Sequence, residues 1–563
     1  MNYDDSNNYS TGGFVSGAFI LTVGVVIMKI LGAIYKVPIQ HILGDDGYAL
    51  FISTYNVYNV FLTLATAGLP VALSRLISEA NAERRPLQIK KTFNVAYWTF
   101  FVIGLFCSLI MFLFPNWLAG DILNNPDAAC GIKVMSPAVF LVCLISAYRG
   151  YCQGLENMIP TTVGQVLEVL FKVIAGLLLA KHFMNSGKGK IVANGGAIFG
   201  VVFGSIICLL YMIWYKRRHY KDSAEDIEFE RLKENIFDDE DGVIDWESIK
   251  EPEPDSDFVI LKKFLRIGIP IALGASIMSL LNLVDSGLCM GRLQSAAGFS
   301  YQDAKTLFGV YGSAMTLFNL PAAFITPLTI TVVPAIAAAI VRKESAETAR
   351  ISEDALRLAT VICLPMGIGL AVLSFPIMKV VYPNSHYLGP TLLSIMGVAS
   401  FFVCFALIQN AILQAAGHEK FPVISMICGS IVKVAVNWFL VALPSLNIVG
   451  APIGTLLGYM TMCVMNHLFM AKKLEHTPNI RRICLKPFIA VAIMGVAAIV
   501  TYKITGHFFG FDTWKSLIAD LGLSVVCAVI IYFIMIFSLK IITGEDLKLI
   551  PKGDKIAKLL RIE

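Results

Sequence analysis

Three lysines stand inside long apolar runs: Lys29, Lys172 and Lys433. An ammonium held away from water is costly unless an anion meets it, so a cation deep in an apolar span marks a functional site by default. Lysine is a compact point charge without the bidentate fork of arginine, which suits a transient phosphate contact. Two further cations, Lys36 and Arg292, lie near span ends, where long side chains reach for the interface. Polar side chains accompany them: Gln165 and Glu168 upstream of Lys172, Asn437 after Lys433, and the pair Asn282 and Asp285. These could line a cavity or hold a coupling ion. Glu168 and Lys172 are four residues apart and share a helix face, so mutual neutralisation is the plain structural reading of that pair. No P-loop, nucleophile motif or metal triad occurs, so no catalytic residue, metal or cofactor is expected. The 12 cysteines lie scattered without a C-x-x-C pair and read as small buried hydrophobes.

Two of the lysines sit in a stretch that occurs twice. YRGYCQGLENMIPTTVGQVLEVLFK (148–172) returns in altered form as QNAILQAAGHEKFPVISMICGSIVK (409–433). In each copy a Gln (Gln153, Gln414) precedes the Lys by 19 residues, and a Pro (Pro160, Pro422) opens the apolar run between them. Proline is tolerated in the first turn of a helix, so each Pro predicts a helix start. The lysine then lies about 11 or 12 residues into that helix, roughly 16–18 Å along it. In a helix that crosses a bilayer, this is near the middle.

Composition predicts such crossings. Of 563 residues 56% are hydrophobic and 15% charged, with a mean hydropathy of +0.70. Apolar runs long enough to span hydrocarbon recur from end to end. Fourteen spans are expected near 14–35, 48–74, 92–114, 134–152, 160–182, 195–215, 264–290, 306–340, 354–379, 391–415, 422–443, 450–470, 487–505 and 517–540. The run at 306–340 is long enough to hold a kink. Lys and Arg cluster in alternate connections: 75–91, 216–221, 342–350 and 472–486. Positive charge favours the cytoplasm, which places both termini there, with no signal peptide evident. The connection at 222–257 breaks the pattern with 16 acidic residues against three basic ones. It reads as a flexible cytoplasmic linker, and as a calcium loop FDDEDGVIDWES fails because Phe237 and Ser248 occupy its first and last positions.

The linker parts two halves that match in order. GAIFGVVFG (196–204) answers GAPIGTLLG (450–458), Phe114–Pro115 answers Phe375–Pro376, and Ile27–Met28 answers Ile277–Met278. The expected architecture is an all-α integral membrane protein of about 14 helices. Residues 1–215 form one six-helix bundle, 216–260 the linker and 261–472 the pseudo-symmetric second bundle; 473–563 add two helices and a basic tail. Repeats of six spans return the chain to the same side and rock about a midplane site.

Three blocks carry a family resemblance: MKILGAIYKVPIQHILG (28–44), GLPVALSRLISE (68–79) and YRGYCQGLENMIPTTVGQVLE (148–168). They resemble the polysaccharide-transporter branch of the MOP flippase superfamily, the stage V sporulation protein B and MurJ-type lipid II flippases among them. Met28–Lys29 stand where members commonly carry Ser-Arg, so the cation is kept. The resemblance implies a non-enzymatic, monomeric transporter of the bacterial cytoplasmic membrane. It would turn over an undecaprenyl-diphosphate-linked glycan, with membrane lipids and no nucleic acid as partners. The diphosphate would meet Lys29, Lys172, Lys433, Lys36 and Arg292. The alternative expectation is a MATE-like cation-coupled drug exporter with Glu168 or Asp285 as the ion ligand.

Overall fold

The computed structural model describes residues 6–83, 85–219, 253–342, 344–474, 478–509 and 513–541. The side chains of 6–27, 29, 30, 33 and several later positions lie outside the described residues, as do 220–252 of the linker and the basic tail from 542. Every regular element among the described residues is a helix. Leaving aside single turns, they are α1 (Ser6–Thr66), α2 (Leu69–Ala82), α3 (Pro86–Leu113), α4 (Ala129–Gly154), α5 (Ile159–Asn185), α6 (Gly189–His219), α7 (Asp257–Ser295) and α8 (Tyr301–Phe318). There follow α9 (Leu320–Val341), α10 (Ser345–Val372), α11 (Ser374–Val381), α12 (Gly389–Ala415), α13 (Lys420–Leu440), α14 (Gly450–Lys473), α15 (Ile480–Phe509) and α16 (Trp514–Ser538).

Among the described residues, thirteen stretches are long and apolar enough to cross a membrane, the first beginning at Ile34. The expected span at 14–35 lies almost wholly ahead of it. The chain is thus an all-α, multi-pass membrane protein, and about 14 crossings agrees with that count.

Local sequence sets the helix boundaries. Proline occupies the first or second position of α2, α3, α5, α9 and α12, where no helical N–H is lost. Lys172 and Lys433 each lie 13 residues beyond the first residue of their helix (172 − 159 and 433 − 420). α1 kinks at Gly44, whose φ of 71° a side chain would oppose. The run at 306–340 breaks at Asn319, which caps α8 at its end and α9 at its start.

Two compact units result: Met1–Leu43 with Leu50–Gly287, and Gly44–Ala49 with Leu288–Glu563. In the first, α4 packs on α2, α3 and α6, and α5 runs along α6. In the second, α12 packs on α9, α10 and α14, and α13 runs along α14; α15 pairs with α16 and rests on α10. Lipid tails are as apolar as leucine, so close backbone approach at small residues holds such helices together. The matched glycines supply it in both units. A Cβ at Gly204 of α6 would strike the Glu168 carbonyl of α5 and stand 3.2 Å from the Lys172 Cβ. A Cβ at Gly458 of α14 would stand 2.8 Å from the Gly429 carbonyl oxygen of α13 and 3.1 Å from the Lys433 Cβ. One packing device is used twice, each time against the backbone that carries a lysine.

Candidate functional site

The polar interior of the first unit centres on α5. Glu168 does not pair with Lys172. It accepts from Arg149 Nη2 of α4 at 2.7 Å, with both side chains less than one-fifth exposed. Ser205 Oγ of α6 donates to its other carboxylate oxygen at 3.2 Å. The carboxylate is therefore held from two neighbouring helices, and the Arg149 guanidinium also points an N–H at the Cys208 sulfur, 3.9 Å away. Tyr58 of α1 lies within the field of both charges.

Lys172, one turn beyond Glu168, is half-buried and makes no ion pair among the described residues. Its Nζ instead lies 5.9 Å from the centre of the Tyr35 ring of α1. A cation over an aromatic face gains about 0.5–2 kcal/mol, depending on how dry the site is. That is less than a carboxylate offers, so the ammonium keeps capacity for an anion. The ring is fixed: Tyr35 OH donates to the Ala197 carbonyl at 2.8 Å, and the ring edges onto Phe51. Gly176 leaves room for it, since a Cβ there would collide with the Tyr35 hydroxyl. Lys36, next to Tyr35 in the chain, is half-buried and repels Lys172 electrostatically. Gln165 Oε1, one turn before Glu168, is buried without a hydrogen-bond partner among the described residues. Arg149, Lys172 and Lys36 against Glu168 leave two positive charges in excess.

The remaining sequence candidates fall elsewhere. The Lys29 side chain lies outside the described residues. On α7, Asp285 is buried at 5% exposure and Asn282 is exposed; one turn on, Ser286 Oγ donates to the Asn282 carbonyl and accepts from Asn56 at 2.6 Å. In the second unit Lys433 is half-buried, and Asn437 is fully buried against Gly454. Arg292 lies 4.2 Å over the Trp438 ring and donates to the Trp438 carbonyl at 3.2 Å. Asn410, which aligns with Arg149 in the repeated stretch, accepts from Asn466 at 2.8 Å, and Asn466 in turn accepts from Ser425 at 2.5 Å. Where the first unit buries an ion pair, the second has a neutral hydrogen-bond chain. The repeat is thus conserved in packing and divergent in charge.

Arg149 is the residue of this polar cluster that pattern alone missed. It lies at position 2 of the repeated stretch, and Asn410 in the matching position of the second copy was the available signal.

An all-helical, multi-pass chain that divides into two compact units is built as an integral membrane protein. It belongs to the polysaccharide biosynthesis protein family, whose model matches residues 14–340. Similar proteins of Bacillus subtilis (strain 168) are the uncharacterized membrane protein YabM (27% identical, covering 99% of this chain and 98% of that one), the lipid II flippase MurJ (25%, 88% and 90%) and stage V sporulation protein B (24%, 96% and 98%). Among solved structures, the fold is similar to the lipid II flippase MurJ in an inward closed conformation, with a TM-score of 0.65 at 15% identity over 92% of this chain and 99% of that one. It is also similar to an inward-facing multidrug resistance MATE family transporter of the MOP superfamily, with a TM-score of 0.63 at 17% identity over 81% and 98%. The MOP-superfamily resemblance and the all-helical fold expected from sequence are both borne out.

Proposed function

We propose that this protein is a flippase that moves an undecaprenyl-diphosphate-linked oligosaccharide, lipid II or a related wall or polysaccharide precursor, across the bacterial cytoplasmic membrane by alternating access. The observation that supports this reading is the charge balance around α5. A diphosphate must shed water to cross hydrocarbon, and fixed cations that replace its hydration lower that barrier. Lys172 and Lys36 are half-buried and make no ion pair among the described residues, so they offer that replacement. Lys29, Lys433 and Arg292 are assigned the same anionic substrate, and Gln165, Asn282 and Asn437 its polar surroundings. The protein works as a monomer without cofactor or catalytic step, with both termini in the cytoplasm as the basic connections imply.

A cation-coupled exporter needs a carboxylate free to take and release an ion. Glu168 is already engaged by Arg149 and Ser205, which weighs against it as that ligand. The test is growth of a bacterium depleted of its lipid II flippases and supplied with this gene. Rescue by the wild type is expected. Failure at normal membrane abundance would exclude lipid II as the cargo.

A further inference from the structure

At one end of the second unit, α10, α15 and the residues just past α16 enclose a cleft of about 310 Å³. Four cations line it, Arg357, Arg482, Lys486 and Lys540, against two carboxylates, Glu353 and Asp354. The carboxylates are engaged: Asp354 pairs with Arg357 at 3.0 Å and with Arg350 at 3.9 Å, and Glu353 accepts the Asn479 N–H at 3.3 Å. Arg482, Lys486 and Lys540 form no ion pair among the described residues and are exposed.

Two local features shape this cleft. Pro487 lies inside α15 and brings no N–H to the Ile483 carbonyl one turn back; both residues line the cleft. α16 ends in a left-handed turn in which the Ile541 N–H reaches back to the Ile536 carbonyl. The left-handed position of such a turn is usually glycine, yet here it is Lys540, with φ of 50°. The chain accepts an unfavourable backbone conformation and gains an ammonium at the rim. Immediately beside the cations, the outer face of α15 shows Leu485, Phe488, Ile489 and Ile493, each more than two-fifths exposed. A basic recess continuous with an apolar outer face fits a molecule with a phosphate at one end and hydrocarbon at the other.

We infer that this cleft binds the phosphate of an anionic phospholipid headgroup, whose acyl chains lie along the outer face of α15. Nothing in this depends on the cargo that the protein carries. The apolar face, continuous from Leu485 to Ile493, suits acyl chains that run along a helix, whereas the other acidic candidate, residues 222–257 of the chain itself, intersperses its apolar side chains with 16 carboxylates.

The test compares the full-length protein with a variant carrying Arg482→Gln, Lys486→Gln and Lys540→Gln, both in phosphatidylcholine nanodiscs. A matched control carries Lys181→Gln, Lys188→Gln and Lys190→Gln, three exposed lysines of the first unit. Phosphatidylglycerol is titrated in, and retained lipid is counted by native mass spectrometry. Wild type and control should retain it alike, and the cleft variant should need on the order of a hundredfold more, given three basic residues at roughly one kcal/mol each at an anionic surface. All three should melt at the same temperature in pure phosphatidylcholine; if the triple variant does not, Lys486→Gln alone is read instead. Equal retention by the cleft variant overturns the proposal. So does competition by inorganic phosphate at lipid-like concentrations, which would mark a free-anion site. Retention that rises tenfold on deleting residues 222–252 would show that the acidic segment holds the cleft, and likewise overturns it.

Discussion

The Arg149 guanidinium meets the Glu168 carboxylate at 2.7 Å, while Lys172, one turn further along the same helix, faces a tyrosine ring instead. Glu168 thereby takes its ion pair from another helix, and its charge acts on Lys172 only without direct contact. An ion pair between two helices and a lysine left over are different devices, and they call for separate variants.

Breaking the pair from one side should be costly. Arg149→Met leaves Glu168 with the Ser205 hydroxyl and no direct ion pair, in a setting where each side chain is less than one-fifth exposed. Stranding one member of a buried pair costs about 3–5 kcal/mol, and the residual exposure here brings the expectation to about 2 kcal/mol. Adding Glu168→Gln should recover more than half of the loss, because the stranded charge is gone. Thermal unfolding in detergent measures both. A single variant as stable as wild type would mean that water, not Arg149, balances the carboxylate.

That pair explains why the fold was legible in the sequence and the site only in part. Pro160 stands second in α5 and Pro422 third in α13, so the depth of Lys172 and Lys433 followed from counting to within two residues. The GAIFGVVFG and GAPIGTLLG runs were legible only as a repeat; the structure adds that their glycines lie where α6 meets α5 and α14 meets α13, because close helix approach demands small residues. Charge pairing obeys no such local rule. Within α5 the four-residue spacing favours Glu168 with Lys172, and only the packing of α4 on its neighbours brings Arg149 nearer. The kink that the length of 306–340 suggested falls at Asn319, a position hidden in the sequence, since hydropathy is continuous across it.

The glycine contacts should be intolerant and unequal. Gly204→Val would drive a branched side chain into the Glu168 carbonyl of α5, and Gly458→Val would do the same at Gly429 of α13. Each should lower the melting temperature and the membrane yield sharply, by about 3 kcal/mol or more where the helices cannot part. Gly522→Ala on α16 meets nothing within 4 Å and should be neutral. Equal behaviour of all three variants would refute the packing described for the lysine helices.

One acidic contact at the head of α7 should show in the pH dependence of stability. Lys263 Nζ donates to Asp255 at 2.7 Å and holds its carboxyl below the usual range, although slight burial opposes this. A depressed carboxyl stabilises the fold above its unfolded value near pH 4, and that contribution fades as pH falls through the folded value. The Asp255 side chain is 31% exposed, so the effect should stay within about 1 kcal/mol. The melting difference between wild type and Asp255→Asn should be present at pH 6 and shrink as pH falls below about 4. A difference that grows on acidification has the wrong sign for this contact.

Lys172 gives the sharpest test of the proposed mechanism. A lysine retained for its stem alone should accept methionine, which matches its length and keeps the packing against Tyr35 and Gly204. A lysine that meets a diphosphate should tolerate Arg in part and Met hardly at all, because the charge itself is what the substrate needs. Glu168 keeps Arg149 in either variant, so Lys172→Met strands no carboxylate and lost transport is not explained by a new unpaired charge. Transport of lipid-linked glycan should fall about tenfold or more in Lys172→Met, corresponding to roughly 1.4 kcal/mol of lost interaction, at unchanged membrane abundance and melting temperature. Lys36→Met should act in the same direction and more weakly if its charge is felt through Lys172. Full activity in both Met variants would defeat the cationic mechanism and turn attention to Asp285 as the ligand of a coupling ion.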